Sequence, residues 1–201
     1  RALVLRAGME ALEDPEDPVG EPLLETEVVE WKTWGPLEAF TTAGGSSSLP
    51  RRWTGRVRNL DYKTLRFPGH GVIFRAMLEL GLFYELPQSD SGIAPRTVLL
   101  EALRRHLPSG APDLVLVRVW ATAKRNGTTR TVGYQVEDLH DGRFSALART
   151  TAFPATALAH LVVTGAVTTR GACTMDGALS ATEMIDALEG TGITFTPYPA
   201  A

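Results

Sequence analysis

Asn126-Gly127 joins two strand-like runs in LVLVRVWATAKRNGTTRTVGYQVEDL, and this dipeptide limits the fold more than any other local feature. Both positions of the favoured two-residue hairpin turn need positive φ, which asparagine and glycine adopt at least cost. A loop of that length also sets the register. Arg125 faces Thr128, and counting outward pairs Ala121 with Val132, Val119 with Tyr134 and Val117 with Val136. One face of the ribbon is therefore continuously apolar. The other pairs Thr122 with Thr131, Trp120 with Gly133 and Arg118 with Gln135. Being more polar, it is expected to meet solvent, a ligand or a partner subunit. Trp120 opposite a glycine reads either as an anchor for a partner surface or as a ring covering bare backbone.

Shorter signals surround this ribbon. Ala2 to Arg6 is a strand candidate, set apart by the acidic, proline-rich loop EDPEDPVGEP. ETEVVEW and LEAFTT read as strands divided by a Gly35-Pro36 turn, and GRVRNLDYKTLRF as mixed strand ended by Pro68. Val72, Ile73, Ala76, Met77 and Leu80 fall at helical spacing, predicting a helix from about Gly71 to Leu80 with Gly81 just past its end. Pro95 suits the first turn of another helix, with Val98, Leu99, Ala102, Leu103 and His106 on one face. From about Phe144 the pattern is helical again, with a stripe of Ala148, Ala152, Ala155 and Ala159, and Pro154 either kinks that helix or starts it. Ser180 and Glu183 form a capping box for a last helix, Ala181 to Glu189, stopped by Gly190 and followed by a short strand, ITFT. Strands first, then strands and helices mixed, make the class α+β: a mixed, largely antiparallel sheet covered by helices.

With 201 residues, 44% of them hydrophobic, the chain can bury a real core. A net charge of -3 with scattered Lys and Arg offers no electropositive footprint for nucleic acid. Cys173 is the only cysteine, which forbids an intrachain disulfide and a thiolate metal cluster and agrees with a reducing cytoplasm. The longest apolar helix pattern, Ala155 to Val163, is short of a membrane span. RALVLRAG carries neither an initiator Met nor a signal-peptide pattern and reads like the middle of a strand, so the chain is expected to be a piece of a longer polypeptide.

No dinucleotide fingerprint, phosphate loop, H-E-x-x-H or G-x-S-x-G motif is present. The four histidines, His70, His106, His140 and His160, are far apart, and the acids beside His140 in EDLHDG fit a polar turn better than metal-ligand spacing, so no metal is expected. A hydrolase would need Ser46, Ser47 or Ser48 as nucleophile and His70 as base, without an elbow to hold the serine. Two glycine-rich segments remain. In TTAGGSSS, Thr42 and the serines offer hydroxyls while the glycines let backbone approach a ligand. In LRFPGHG, the first N–H groups of the coming helix make an anion site beside Arg66 and His70. Together they form a carboxylate pocket, or each is a turn and nothing more.

LEAFTTAGG, DYKTLRFPGH, a helix ending LELGLF, and the tail ARTTAFPATALAHLVVTGAV closing on GITF resemble the saccharopine dehydrogenase and lysine 6-dehydrogenase-like family across nearly the whole chain. KTLRFPGH is the most specific part. The resemblance implies an NAD(P)-dependent oxidoreductase of two domains, working by hydride transfer at a carbon bearing nitrogen, on an amino acid or its imine. This chain then matches the later part: residues 1–145 as a substrate-binding and dimerisation domain, and residues 146–201 as a C-terminal helical segment completing a nucleotide-binding domain that begins upstream. By position, Thr42, Gly44, Gly45, Ser46 and Ser47 fall on the family's substrate-side loop, and Arg66 and His70 on its R-x-P-G-H corner. Arg66 is implied to pair with a substrate carboxylate or a structural acid, and His70 to position the substrate. NAD or NADP is then bound mainly outside this chain, in a cytoplasmic homodimer. Phe67 stands where the family usually has Tyr, and GGSSSL departs from the commoner GGLST, both of which bear on the substrate. The alternative from another class is a stand-alone module that dimerises or binds a small carboxylate without dehydrogenase activity.

Overall fold

The computed structural model describes residues 26–42, 49–87, 92–107 and 110–199. Within them, every strand pairing is antiparallel and the strands form two three-stranded sheets, β1-β2-β3 and β4-β5-β6. The class is α+β as read from the sequence, with the strands divided between two sheets. The strand candidate Ala2 to Arg6 lies outside the described residues.

The long hairpin has the register its turn dictates. β4 (Leu114–Arg125) and β5 (Thr128–Leu139) place Arg125 opposite Thr128, Ala121 opposite Val132, Val119 opposite Tyr134 and Val117 opposite Val136. Asn126 and Gly127 both have positive φ, 51° and 80°, as a two-residue turn of this hand requires.

The two faces of the hairpin reverse the expected roles along part of their length. The Arg118 face is where the first sheet docks: Leu114 and Leu116 pack with Trp31, Leu37, Ala39 and Leu65 in one buried cluster. Arg118 is buried there, its guanidinium 4.2 Å from the Trp31 ring and 4.6 Å from the Tyr198 ring, with Glu30 O and Gln135 Oε1 accepting from it. An arginine sandwiched by aromatic rings can be buried because its planar, weakly hydrated group stacks well. The apolar face is covered by helices only near Val117 and Val136. Farther toward the turn, Val119, Val132 and Tyr134 are 39%, 60% and 41% exposed. Trp120 lies opposite Gly133, and its ring meets the Tyr198 ring in a tilted contact, 5.7 Å between centroids.

β1 (Glu27–Trp31) and β2 (Gly35–Phe40) are joined by three residues, and Gly35, at φ 71°, opens β2 opposite Trp31. The turn thus lies at residues 32–34 rather than at Gly35-Pro36, because a three-residue hairpin places its left-handed glycine at the first position of the second strand. One carboxylate from the other sheet secures this turn: Glu137 accepts from Trp31 Nε1 at 2.6 Å and Trp34 Nε1 at 3.2 Å. After α1 (Leu49–Trp53), the long mixed strand expected before Pro68 is reduced to β3, Thr64–Arg66, which pairs with Glu38, Ala39 and Phe40.

α2 (His70–Glu79) begins and ends one residue earlier than its spacing predicts, and Gly81 at φ 71° follows it as expected. Val72 and Ile73 are 71% and 55% exposed, because the helix meets β2 through Gly71 instead. α3 is Pro95–His106, with Leu99 its buried residue. α4 (Ala146–Val163) contains Pro154 in its interior. Ser145 caps it by accepting from Ala148 N–H, and Asp113 receives the Ala146 and Leu147 N–H groups at 2.7 and 2.8 Å. Burial alone raises the Asp113 pKa, but these N–H bonds outweigh it and leave the carboxyl below its ordinary value.

α4 packs on the hairpin through Phe153 and Ala157, while Ala148, Ala152, Ala155 and Ala159 face outward. By length and composition this 18-residue helix, mean hydropathy 1.2, is able to cross a membrane, and it is longer than the Ala155 to Val163 pattern read from sequence. Its Arg149, however, bridges Asp138 and Asp141 at its hairpin end. A single turn, α5 (Met175–Ala178), precedes α6 (Ala181–Glu189), whose capping box forms as read, Ser180 Oγ accepting from Glu183 N–H and Glu183 from Ser180 N–H. The last strand, β6, is Thr196–Tyr198 on the β5 edge rather than ITFT. Ile193 closes the end of α6 instead, with its N–H on Leu188 O and its side chain buried beside Val136 and Leu188.

Candidate functional site

β2 and β3 deliver their charged residues to one place. Glu38 on β2 lies directly opposite Arg66 on β3, and Phe40 opposite Thr64. Beyond Arg66 the chain turns through Phe67, Pro68 and Gly69 into α2, with Gly69 at φ 94° as the residue before the helix. That left-handed conformation is one glycine adopts without strain. It leaves the helix without a side-chain cap from its own N-terminal residue.

The cap comes from the neighbouring strand. Gly69 N–H donates to Glu38 Oε1 at 2.5 Å, and Gly71 N–H to Glu38 Oε2 at 2.8 Å. The positive end of α2, read from sequence as a place for an incoming anion, thus already holds a carboxylate of this chain. Glu38 was not anticipated as part of the corner. Its signal was an acid in LEAF, where Leu37, Ala39 and Phe40 are all buried in the first sheet.

His70, the first residue of α2, is half-buried with its ring stacked 4.3 Å from Phe74 and 6.2 Å from Phe40. Burial, and then the nearby Arg66 guanidinium, hold its pKa below the ordinary imidazole value, while the Glu38 carboxylate pulls it upward. These surroundings favour the neutral ring over the imidazolium. Arg66 Nη1 donates to Leu65 O at 2.7 Å, which folds the side chain along its own strand. Thr42, just past β2, shares a 2.7 Å hydroxyl contact with Thr64. The structure thus assembles Arg66 and His70 with Glu38, and ties Thr42 to the same sheet. Gly44, Gly45, Ser46 and Ser47 lie outside the described residues, as does Ser48.

A family model for the saccharopine dehydrogenase C-terminal domain matches residues 12–193. The chain belongs to that family. The match takes in β1 through α6 and stops short of β6, with the Glu38, Arg66 and His70 corner inside it. It is an oxidoreductase-type family whose members generally use NAD(P). The corner before α2 does not fit the pyrophosphate of such a cofactor, since the N–H groups of Gly69 and Gly71 that would face a phosphate carry the Glu38 carboxylate. The acids beside His140 are likewise engaged: Arg149 reaches Asp138 at 3.1 Å and Asp141 at 2.6 Å.

Proposed function

We propose that this chain is the substrate-side region of an NAD(P)-dependent oxidoreductase of the saccharopine dehydrogenase type, acting by hydride transfer at a C–N bond of an amino acid or its imine. The observation that carries this reading is the joining of Arg66 and His70 at one corner of the β2-β3 sheet, within a chain of that family. Arg66 supplies a fixed positive charge for a substrate carboxylate, the strongest kind of hydrogen-bond partner for such a group. His70, in stacked contact with Phe74 and Phe40, positions the substrate by a hydrogen bond from its ring edge. Thr42, tied to β3 through Thr64, is a further substrate contact, and Gly44, Gly45, Ser46 and Ser47 are assigned to the substrate by their sequence alone. NAD or NADP is held by a nucleotide-binding domain for which residues 146–201 supply the closing helices. The compartment is the cytoplasm, in keeping with a lone cysteine, Cys173.

Arg66→Ala and His70→Ala, made in the complete enzyme, test the assignment. Loss of a charge-assisted contact in Arg66→Ala raises KM about tenfold or more, and His70→Ala lowers kcat. Unchanged KM and kcat in both variants make the corner purely structural and remove this reading.

The partner is a second copy of the chain. The surface for it is the outer end of the hairpin, where Val119, Val132 and Tyr134 are exposed beside the β4 edge, which pairs only with β5 among the described residues. A long, apolar, open edge is a site for strand or face pairing. The Trp120 face cannot serve along its whole length, because the first sheet packs against its Leu114 and Leu116 end. Val132→Glu in the full-length protein is expected to yield monomers by light scattering, and an unchanged dimer places the interface elsewhere.

A further inference from the structure

The geometry points to Glu38 as the positioning residue of the corner: its carboxylate, clasped by Gly69 and Gly71 N–H, fixes the start of α2 and so sets the depth and plane of the His70 ring. The inference rests on the proposed role of His70 for its catalytic consequence, though not for its structural one. Three features carry it. First, both oxygens of Glu38 are used on a single helix end, one on each side of His70, so the backbone flanking that residue is held at two points. Second, no side chain of the turn itself caps α2, so nothing else described performs this task. Third, the seat is tight: a Cβ at Gly71 would stand 3.2 Å from Glu38 Oε2 and 3.2 Å from two atoms of the Phe40 ring. Phe40 is the same ring that stacks under His70. A change in the clasp therefore reaches the imidazole both through the backbone and through its aromatic neighbour.

Glu38 does not act as a ligand for substrate, since its oxygens already face the helix. It acts through His70. The charged groups bearing on that ring are Arg66 from β3 and Glu38 from β2, with opposite effects. Removing the Glu38 charge takes away the one pull that favours the imidazolium, so the His70 midpoint must fall further; removing the Arg66 charge must raise it.

The experiment uses the full-length protein with labelled histidine, the His70 signal being assigned by its loss in His70→Gln. In Glu38→Gln the imidazole midpoint is expected to fall by NMR titration, with kcat reduced about tenfold, the scale of a modest misplacement of a positioned group, and KM little changed. Gly71→Ala keeps the charge and displaces its seat, so it is expected to lower kcat and shift the His70 resonance in the same way. It serves also if Glu38→Gln fails to fold. An unaltered His70 midpoint, resonance position and kcat in the folded variants overturn the inference. A moved midpoint with kcat unchanged, together with a silent His70→Ala, upholds the positioning by Glu38 and instead defeats the proposed role of His70.

Discussion

Replacing Gly133 by alanine is expected to destabilise the protein by about 3 kcal/mol, the upper part of the range for forcing an extra methyl into packed structure. A Cβ there would lie 2.2 Å from the Val119 carbonyl oxygen and 2.7 Å from the Trp120 Cβ. The obstruction is backbone, which cannot swing aside as a side-chain tip can. Relief requires β4 and β5 to part where Trp120 crosses Gly133, next to the three residues of β6 that pair with β5. The Trp120 and Tyr198 ring contact then opens as well. For a chain of this size the loss corresponds to a fall in Tm on the order of 10 °C. Thermal unfolding followed by circular dichroism measures it, and a Tm within a degree or two of the parent would show that the ribbon tolerates a side chain there.

Arg149→Ala is the second large effect, expected at about 3 kcal/mol for removing one partner of a largely buried ion pair. The Asp138 and Arg149 side chains are 8% and 13% exposed, so the substitution strands a buried carboxylate. Arg149 also donates to Asp141 and to Gly192 O, linking β5, the loop before α4 and the loop after α6. The Asp141 carboxyl is held down to about 2 from 3.8, first by the Phe144 and Arg143 N–H groups and then by Arg149. A carboxyl depressed in the folded state contributes stability that is present above about 3.8 and is lost as the pH falls through about 2. The part of the gap that acts through Asp141 is therefore full at pH 7 and narrows as the pH falls from about 3.8 toward about 2, as Asp141 protonates. Urea midpoints at pH 7 and pH 2.5 test this. A gap of constant size would assign the loss to contacts of Arg149 that do not titrate, its bond to Gly192 O and its guanidinium over the Phe153 ring, rather than to the carboxylates.

What was legible in the sequence was whatever a local rule determines. Asn126-Gly127 fixed twelve paired positions because a turn of two residues admits one register. Ser180 and Glu183 formed their capping box because both groups sit within one turn of helix. The fate of a face is a different matter, since it depends on what arrives from elsewhere in the chain. Arg118 and Gln135 look solvent-facing by polarity, and only the arrival of Trp31 and Tyr198 makes burial of a guanidinium tolerable. At the candidate site, spacing drew Arg66 and His70 to one corner, but the capping acid lay 31 residues before Gly69, on another strand. An open helix end and a closed one read alike until the sheet is assembled.

The grip of Glu137 on two indoles gives the molecule an optical consequence. Trp31 and Trp34 are two of the four tryptophans, and both give their ring N–H to one carboxylate more than 100 residues away in the chain. Their emission therefore follows the docking of the first sheet onto the second, and Trp120, in ring contact with Tyr198 of β6, follows the pairing of β6 with β5. The two events carry separate chromophores, so selective replacement of either set by phenylalanine lets the seam between the sheets and the closing of β6 be watched apart.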